Sequence, residues 1–84
     1  MGLTVRLSEG IDFTSARELI LDSAPVDLGA LIDELERRFP GARAALDSSA
    51  VNAAINGDVV LSGRDRTTLA DGDEVDFLIM FAGG

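Results

Sequence analysis

At 84 residues with no cysteine, the chain is one domain near the lower size limit for folding, with neither a disulfide nor a thiolate metal site to staple it. A formal charge of −8, from 15 acidic residues against seven arginines and no lysine, argues against binding a phosphate backbone. Histidine, lysine, tyrosine and tryptophan are absent as well, so most general bases and activated nucleophiles are missing. That disfavours a free-standing enzyme and favours a binding module, or a substrate for another protein's chemistry. The acidic surface supports solubility, and the same field can guide the chain onto basic patches of larger partners. No apolar run is long enough to span a bilayer, and "MGLTVRL" lacks the basic-then-apolar layout of a secretory signal. Arg6 stands where a myristoylation signal wants Ser or Thr, so the expected location is the cytoplasm.

In chain order, "LTVRLSE" (Leu3 to Glu9) alternates, with Leu3, Val5 and Leu7 on one face and Thr4, Arg6 and Ser8 on the other, which predicts a half-buried strand that Gly10 breaks. "RELILDS" (Arg17 to Ser23) predicts a second strand with Leu19 and Leu21 inward, joined to the first by a loose connection through "GIDFTSA". Asp27 offers an N-cap, after which Leu28, Leu31, Ile32, Leu35 and Phe39 fall at helical spacing. The charged run "DELERR" is the solvated face of that helix, and Pro40-Gly41 stops it. "ARAAL" can add a short turn of helix. In "AVNAAINGDVVL" (Ala50 to Leu61), Asn56-Gly57 between apolar runs predicts a tight hairpin of a third strand and a short fourth. "SGRDRTTLADGD" reads as a long surface connection. In the last strand Val75, Phe77, Ile79 and Phe81 share one face, while Asp76, Leu78 and Met80 share the other.

One helix between the second and third strands cannot close a doubly wound sheet. It can lie across one face of a mixed four- or five-stranded sheet, an α+β sandwich of two layers, with the last strand beside the first. The other face should then be polar. Thr4, Arg6, Asn52 and Asp76 comply; Leu78 and Met80 do not, which marks a contact surface, a strand buried on both faces, or a strand shifted by a residue near its end.

The last strand runs directly into Gly83-Gly84. A glycine pair is poor strand material, but it can thread a passage too narrow for side chains. With glycine usage near 7%, a chance Gly-Gly ending arises roughly once in two hundred. "AAINGDVV", "LADGDEVDFLIMF" and the terminal "AGG" together resemble the ubiquitin-like β-grasp family, and within it the prokaryotic sulfur carriers. These include the small subunit of molybdopterin synthase and the thiazole-synthesis carrier.

The resemblance spans nearly the whole chain and implies a β-grasp domain over residues 1–81 with a flexible Ala-Gly-Gly tail over 82–84. It also implies that the Gly84 carboxylate is adenylated by a ubiquitin-activating-type enzyme using ATP and converted to a thiocarboxylate that donates sulfur. Ala82 and Gly83 would form the threadable arm and Phe81 its anchor. Leu78, Met80 and Arg6 would contact the activating enzyme or the sulfur-accepting synthase subunit or biosynthetic enzyme. No cofactor is bound on this reading. The chain is a protein co-substrate, countable as the small non-catalytic subunit of a synthase.

Molybdopterin-type carriers commonly place prolines shortly before the tail, where this chain has "LIMFAGG", yet its length and full helix favour that branch over the shorter thiazole carriers. Thiazole, cysteine and natural-product pathways stay open. Two rivals remain: a ubiquitin-like modifier conjugated through the same Gly84, and a plain β-grasp interaction domain. "DGDE" (Asp71 to Glu74) lacks the length and closing Glu of a calcium loop and reads as a turn. Ser48-Ser49 and Thr67-Thr68 have no base to activate them and read as caps or turn residues.

Overall fold

The computed structural model describes residues 2–60 and 63–79. The first alternation becomes strand β1, Leu3–Leu7, with Leu3, Val5 and Leu7 buried. It ends two residues before the predicted Glu9. Strand β2, Glu18–Leu21, is likewise shorter than predicted and lies antiparallel to β1, pairing Leu21 with Leu3 and Leu19 with Val5. Helix α1 covers Leu28–Arg38 and opens as its sequence requires: the Asp27 carboxylate accepts a hydrogen bond from the Ala30 amide at 2.8 Å. Leu28, Leu31, Ile32 and Leu35 are buried on one stripe.

Phe39 is not part of that stripe. It is the C-cap of α1, in an extended conformation, and its ring meets Phe13 with centroids 5.8 Å apart. Gly41, at φ 102°, then turns the chain into the short helix α2, Ala42–Leu46. Here the polar face of α1 does more than meet solvent. The Glu36 carboxylate accepts from the Arg43 amide at 2.9 Å, and Arg43 itself pairs with Asp33.

Strands β3 (Val51–Ile55) and β4 (Asp58–Val59) form the predicted hairpin. Its two turn residues, Asn56 (φ 52°) and Gly57 (φ 89°), both adopt the left-handed conformation that a type I′ turn demands. The connection that follows is less superficial than expected. It forms a 3-10 turn at Arg64–Arg66, makes a bridge between Thr68 and Asp27, and buries Leu69 against the core. Ile11 in the β1–β2 connection is also core. Single apolar residues in polar loops carry no periodic signal, and both escaped the pattern for that reason.

Strand β5, Glu74–Ile79, completes a mixed sheet ordered β2-β1-β5-β3-β4. It lies beside β1, as expected from the two aliphatic stripes, and runs parallel to it and antiparallel to β3. Val75 and Phe77 meet Leu3, Val5 and Leu7 beneath α1 in one continuous core. The fold is α+β, a five-stranded sheet with one main helix across one face. No helix among the described residues is long and apolar enough to cross a membrane.

Two predictions follow the caps and turns. Asp27→Ala removes the oxygen that holds the first turn of α1, and should cost about 1 kcal/mol. That corresponds to a fall of about 4–8 °C in melting temperature for a domain of this size, and Asp27→Ser should recover most of it. The second concerns Asp73, whose carboxylate accepts from Asn56 Nδ2 at 3.0 Å and from the Ala70 amide at 2.9 Å, tying the hairpin turn to the start of β5. These hydrogen bonds, the one from Asn56 first, hold the carboxyl below its ordinary range. A lowered folded-state value stabilises above the ordinary aspartate value of about 3.9 and is lost as pH falls through the folded value. In urea titrations, wild type should therefore exceed Asp73→Asn at pH 6–7, with the gap closing in acid; a gap independent of pH would contradict this.

Candidate functional site: the outer sheet face and the end of β5

The face of the sheet turned away from α1 has a charged centre. Reading across the strands, Glu18 on β2 stands opposite Arg6 on β1, Arg6 opposite Asp76 on β5, and Asp76 opposite Ala54 on β3. Val59 on β4 continues the row beyond Ala54. The Arg6 guanidinium lies 2.7 Å from Glu74, 3.4 Å from Glu18 and 3.8 Å from Asp76. Hydrogen bonding to Glu74, aided by the other carboxylates, binds the guanidinium proton more tightly than usual. Arg6 is thus less a free cation than a counter-ion for three acids, and the centre of the face stays net negative. Its ion pairs are solvent-exposed and contribute little to stability; their effect is on the field the face presents.

Beside this polar centre stands the predicted exception. Leu78 shares the outer face, opposite Asn52, and is half-buried rather than fully exposed. Met80, Phe81, Ala82, Gly83 and Gly84 lie outside the described residues. Sequence reasoning missed Ile20 and Val59 on this face, 69% and 44% exposed. The signal for Ile20 was present, since Leu19 and Leu21 inward put Ile20 outward. Val59 carried little signal, because β4 has only two residues.

The inner end of β5 is more tightly built. Ile79, the last described residue, pairs with Val51 across β3 and packs against the core. On its other side the Ile79 amide donates to Ser8 Oγ at 3.1 Å. Arg17 ties the neighbouring loop together, its guanidinium donating to the carbonyls of Ser8 (2.7 Å), Ile11 (2.7 Å) and Thr14 (2.9 Å).

Little of this resembles a catalytic centre. Among the described residues no group of carboxylates could hold a metal ion, and no buried side-chain polar atom lacks a hydrogen-bond partner. One surface depression lies over Glu9, Gly10, Asp12, Thr14, Ser15 and Arg17, another between the β2–α1 connection and α1; neither pairs a hydroxyl with a base. What the described residues do offer is a partly apolar, net-negative sheet face and a firmly held strand leading toward Gly84.

Known proteins share this shape. No curated protein matches the chain at sequence level. Among solved structures, CysO of Mycobacterium tuberculosis superposes with a TM-score of 0.79 at 27% identity, covering 94% of this chain and 99% of that one. A chain of the BexX/CysO complex of Amycolatopsis orientalis gives 0.77 at 25% identity, over 98% of this chain and 99% of that one. A chain of the complex between subunits 1 and 2 of molybdopterin-converting factor from Helicobacter pylori gives 0.66 at 21% identity over 100% of both, a likeness of fold. These establish the ubiquitin-like β-grasp architecture. The model of the ThiS family matches residues 8–84, nearly the whole chain and including its glycine pair. The chain belongs to the ThiS family.

Proposed function

We propose that this protein is a sulfur carrier, and that its reactive group is the carboxylate of Gly84 rather than any side chain. The family match through Gly84, on a body without histidine, cysteine, lysine, tyrosine or tryptophan, is the observation that carries this reading. A carboxylate is a poor electrophile. In the proposed reaction a ubiquitin-activating-type enzyme directs a Gly84 oxygen onto the α-phosphorus of ATP, and pyrophosphate leaves. Hydrosulfide then attacks the carbonyl carbon of the acyl adenylate, AMP departs, and a thiocarboxylate results. That thiocarboxylate passes its sulfur to an acceptor protein in cofactor or metabolite biosynthesis.

On this reading ATP belongs to the activating enzyme, and the chain is a co-substrate with no catalytic role of its own. Ala82 and Gly83 supply an arm without bulk, Phe81 anchors it, and Leu78, Met80 and Arg6 meet the partner. The complexes formed by the structural neighbours, CysO with BexX and the paired subunits of molybdopterin-converting factor, support a life in partnership. Among sulfur pathways, the length and full helix of the chain support the molybdopterin-type branch, while the absence of prolines before the tail counts against it.

ATP–pyrophosphate exchange with the activating enzyme tests the reading. Wild type should support exchange, whereas one residue added after Gly84, or Gly84→Phe, should reduce it to the level seen without carrier. Full exchange by either variant would refute the role of Gly84. Lysine-linked conjugates accumulating in place of a thiocarboxylate would favour a modifier instead.

A further inference from the structure

The parallel ladder between β1 and β5 changes character at its last rung. The Thr4 amide donates to the Asp73 carbonyl at 3.2 Å and the Ser8 amide to the Phe77 carbonyl at 3.0 Å, so Thr4, Arg6 and Ser8 are the residues whose backbone groups bracket β5. Continuing the pattern, the Ile79 amide should donate to the Ser8 carbonyl. That carbonyl is engaged elsewhere: it accepts from Arg17 Nη1 at 2.7 Å and from the Ile11 amide at 3.3 Å. The Ser8 hydroxyl takes its place and accepts from Ile79 at 3.1 Å. A side chain thereby finishes a rung that the turning backbone of β1 can no longer supply.

The same turn places Gly10 against Ile79. Gly10 has φ 96°, and a methyl group built on it would stand 2.7 Å from Ile79 Cδ1. A bare backbone here lets the Ile79 side chain lie close, while the left-handed conformation disfavours any replacement. Ile79 is thus gripped at its amide by Ser8, over its side chain by Gly10, and from the other edge by Val51. Four residues separate it from Gly84.

We infer that Ser8 and Gly10 form a clamp on Ile79, upstream of the glycine tail, making Ser8 a positioning residue for the reaction at Gly84. The inference rests on the sulfur-carrier reading. Its physical content is that a partner must receive the tail while holding the body, so a fixed origin raises the fraction of docked molecules whose arm is aimed correctly. Loosening the origin lowers that fraction and weakens apparent affinity in proportion. It should leave turnover of correctly docked complexes unchanged.

Ser8→Ala and Ser8→Thr test this in the full chain, each checked for an intact fold by urea denaturation. By hydrogen exchange, the Ile79 amide of Ser8→Ala should exchange at least about fivefold faster than in wild type, with Ser8→Thr close to wild type. In ATP–pyrophosphate exchange with the activating enzyme, Ser8→Ala should raise the KM for the carrier about fivefold with kcat within about twofold, and Ser8→Thr should restore it. Unchanged Ile79 protection in Ser8→Ala, or an unchanged KM, would overturn the clamp and leave the carrier reading intact. A wild-type chain that supports no exchange at all would overturn both.

Discussion

The parallel pairing of β1 with β5 is the constraint on which the rest of the structure depends. Parallel neighbours cannot be joined by a tight turn, so the chain between them must cross over, and α1 lies within that crossing. The first and last strands become the two central partners of the sheet, with β2 and β3 outside them. Burial of Leu3, Val5, Leu7, Val75 and Phe77 under the Leu28–Leu35 stripe secures that pairing, each fully buried side chain being worth roughly 1.5–3 kcal/mol. The final strand therefore sits in the best-held part of the domain and is bonded along both edges. Its last described residue, Ile79, is held by Val51 on one side and by the Ser8 hydroxyl on the other.

Rigidity at the base and absence of side chains at the tip serve one purpose in the proposed chemistry. An enzyme that activates a carboxylate must grip the carrier somewhere other than the reacting group. The outer sheet face offers such a grip: Leu78, Ile20 and Val59 supply apolar area, and Arg6 tempers the charge of Glu18, Glu74 and Asp76 without cancelling it. A net-negative face on a chain of charge −8 favours partners with basic surfaces, and it does so mainly through encounter rate and selectivity.

Most of the architecture was legible in the sequence because most of it is periodic. Alternation at Leu3, Val5 and Leu7, helical spacing from Leu28 to Leu35, and the Asn56-Gly57 turn each name their element through one physical rule. The order of elements then leaves few ways to bury the two aliphatic strands together. What the sequence concealed lies where no period operates. Ile11 and Leu69 enter the core singly from loops, and Phe39 leaves the helix to meet Phe13. The part of the site nearest the tail was hidden for another reason. Ser8 looked like one more polar residue of an alternating strand, and only the redirected carbonyl reveals why a hydroxyl is needed there. The glycine ending was plain in the sequence, whereas the Arg6 cluster required the register of three strands to be known.

The central claim is that chemistry takes place at the chain's carboxylate while the folded body is merely held. Intact and fragment-ion mass spectrometry of the protein, after incubation with the activating enzyme, ATP and a sulfide source, tests this most directly. The account predicts a mass increase equal to one oxygen replaced by one sulfur, localised to Gly84. An unchanged mass in a reaction that consumes ATP, or sulfur found on any other residue, would contradict it.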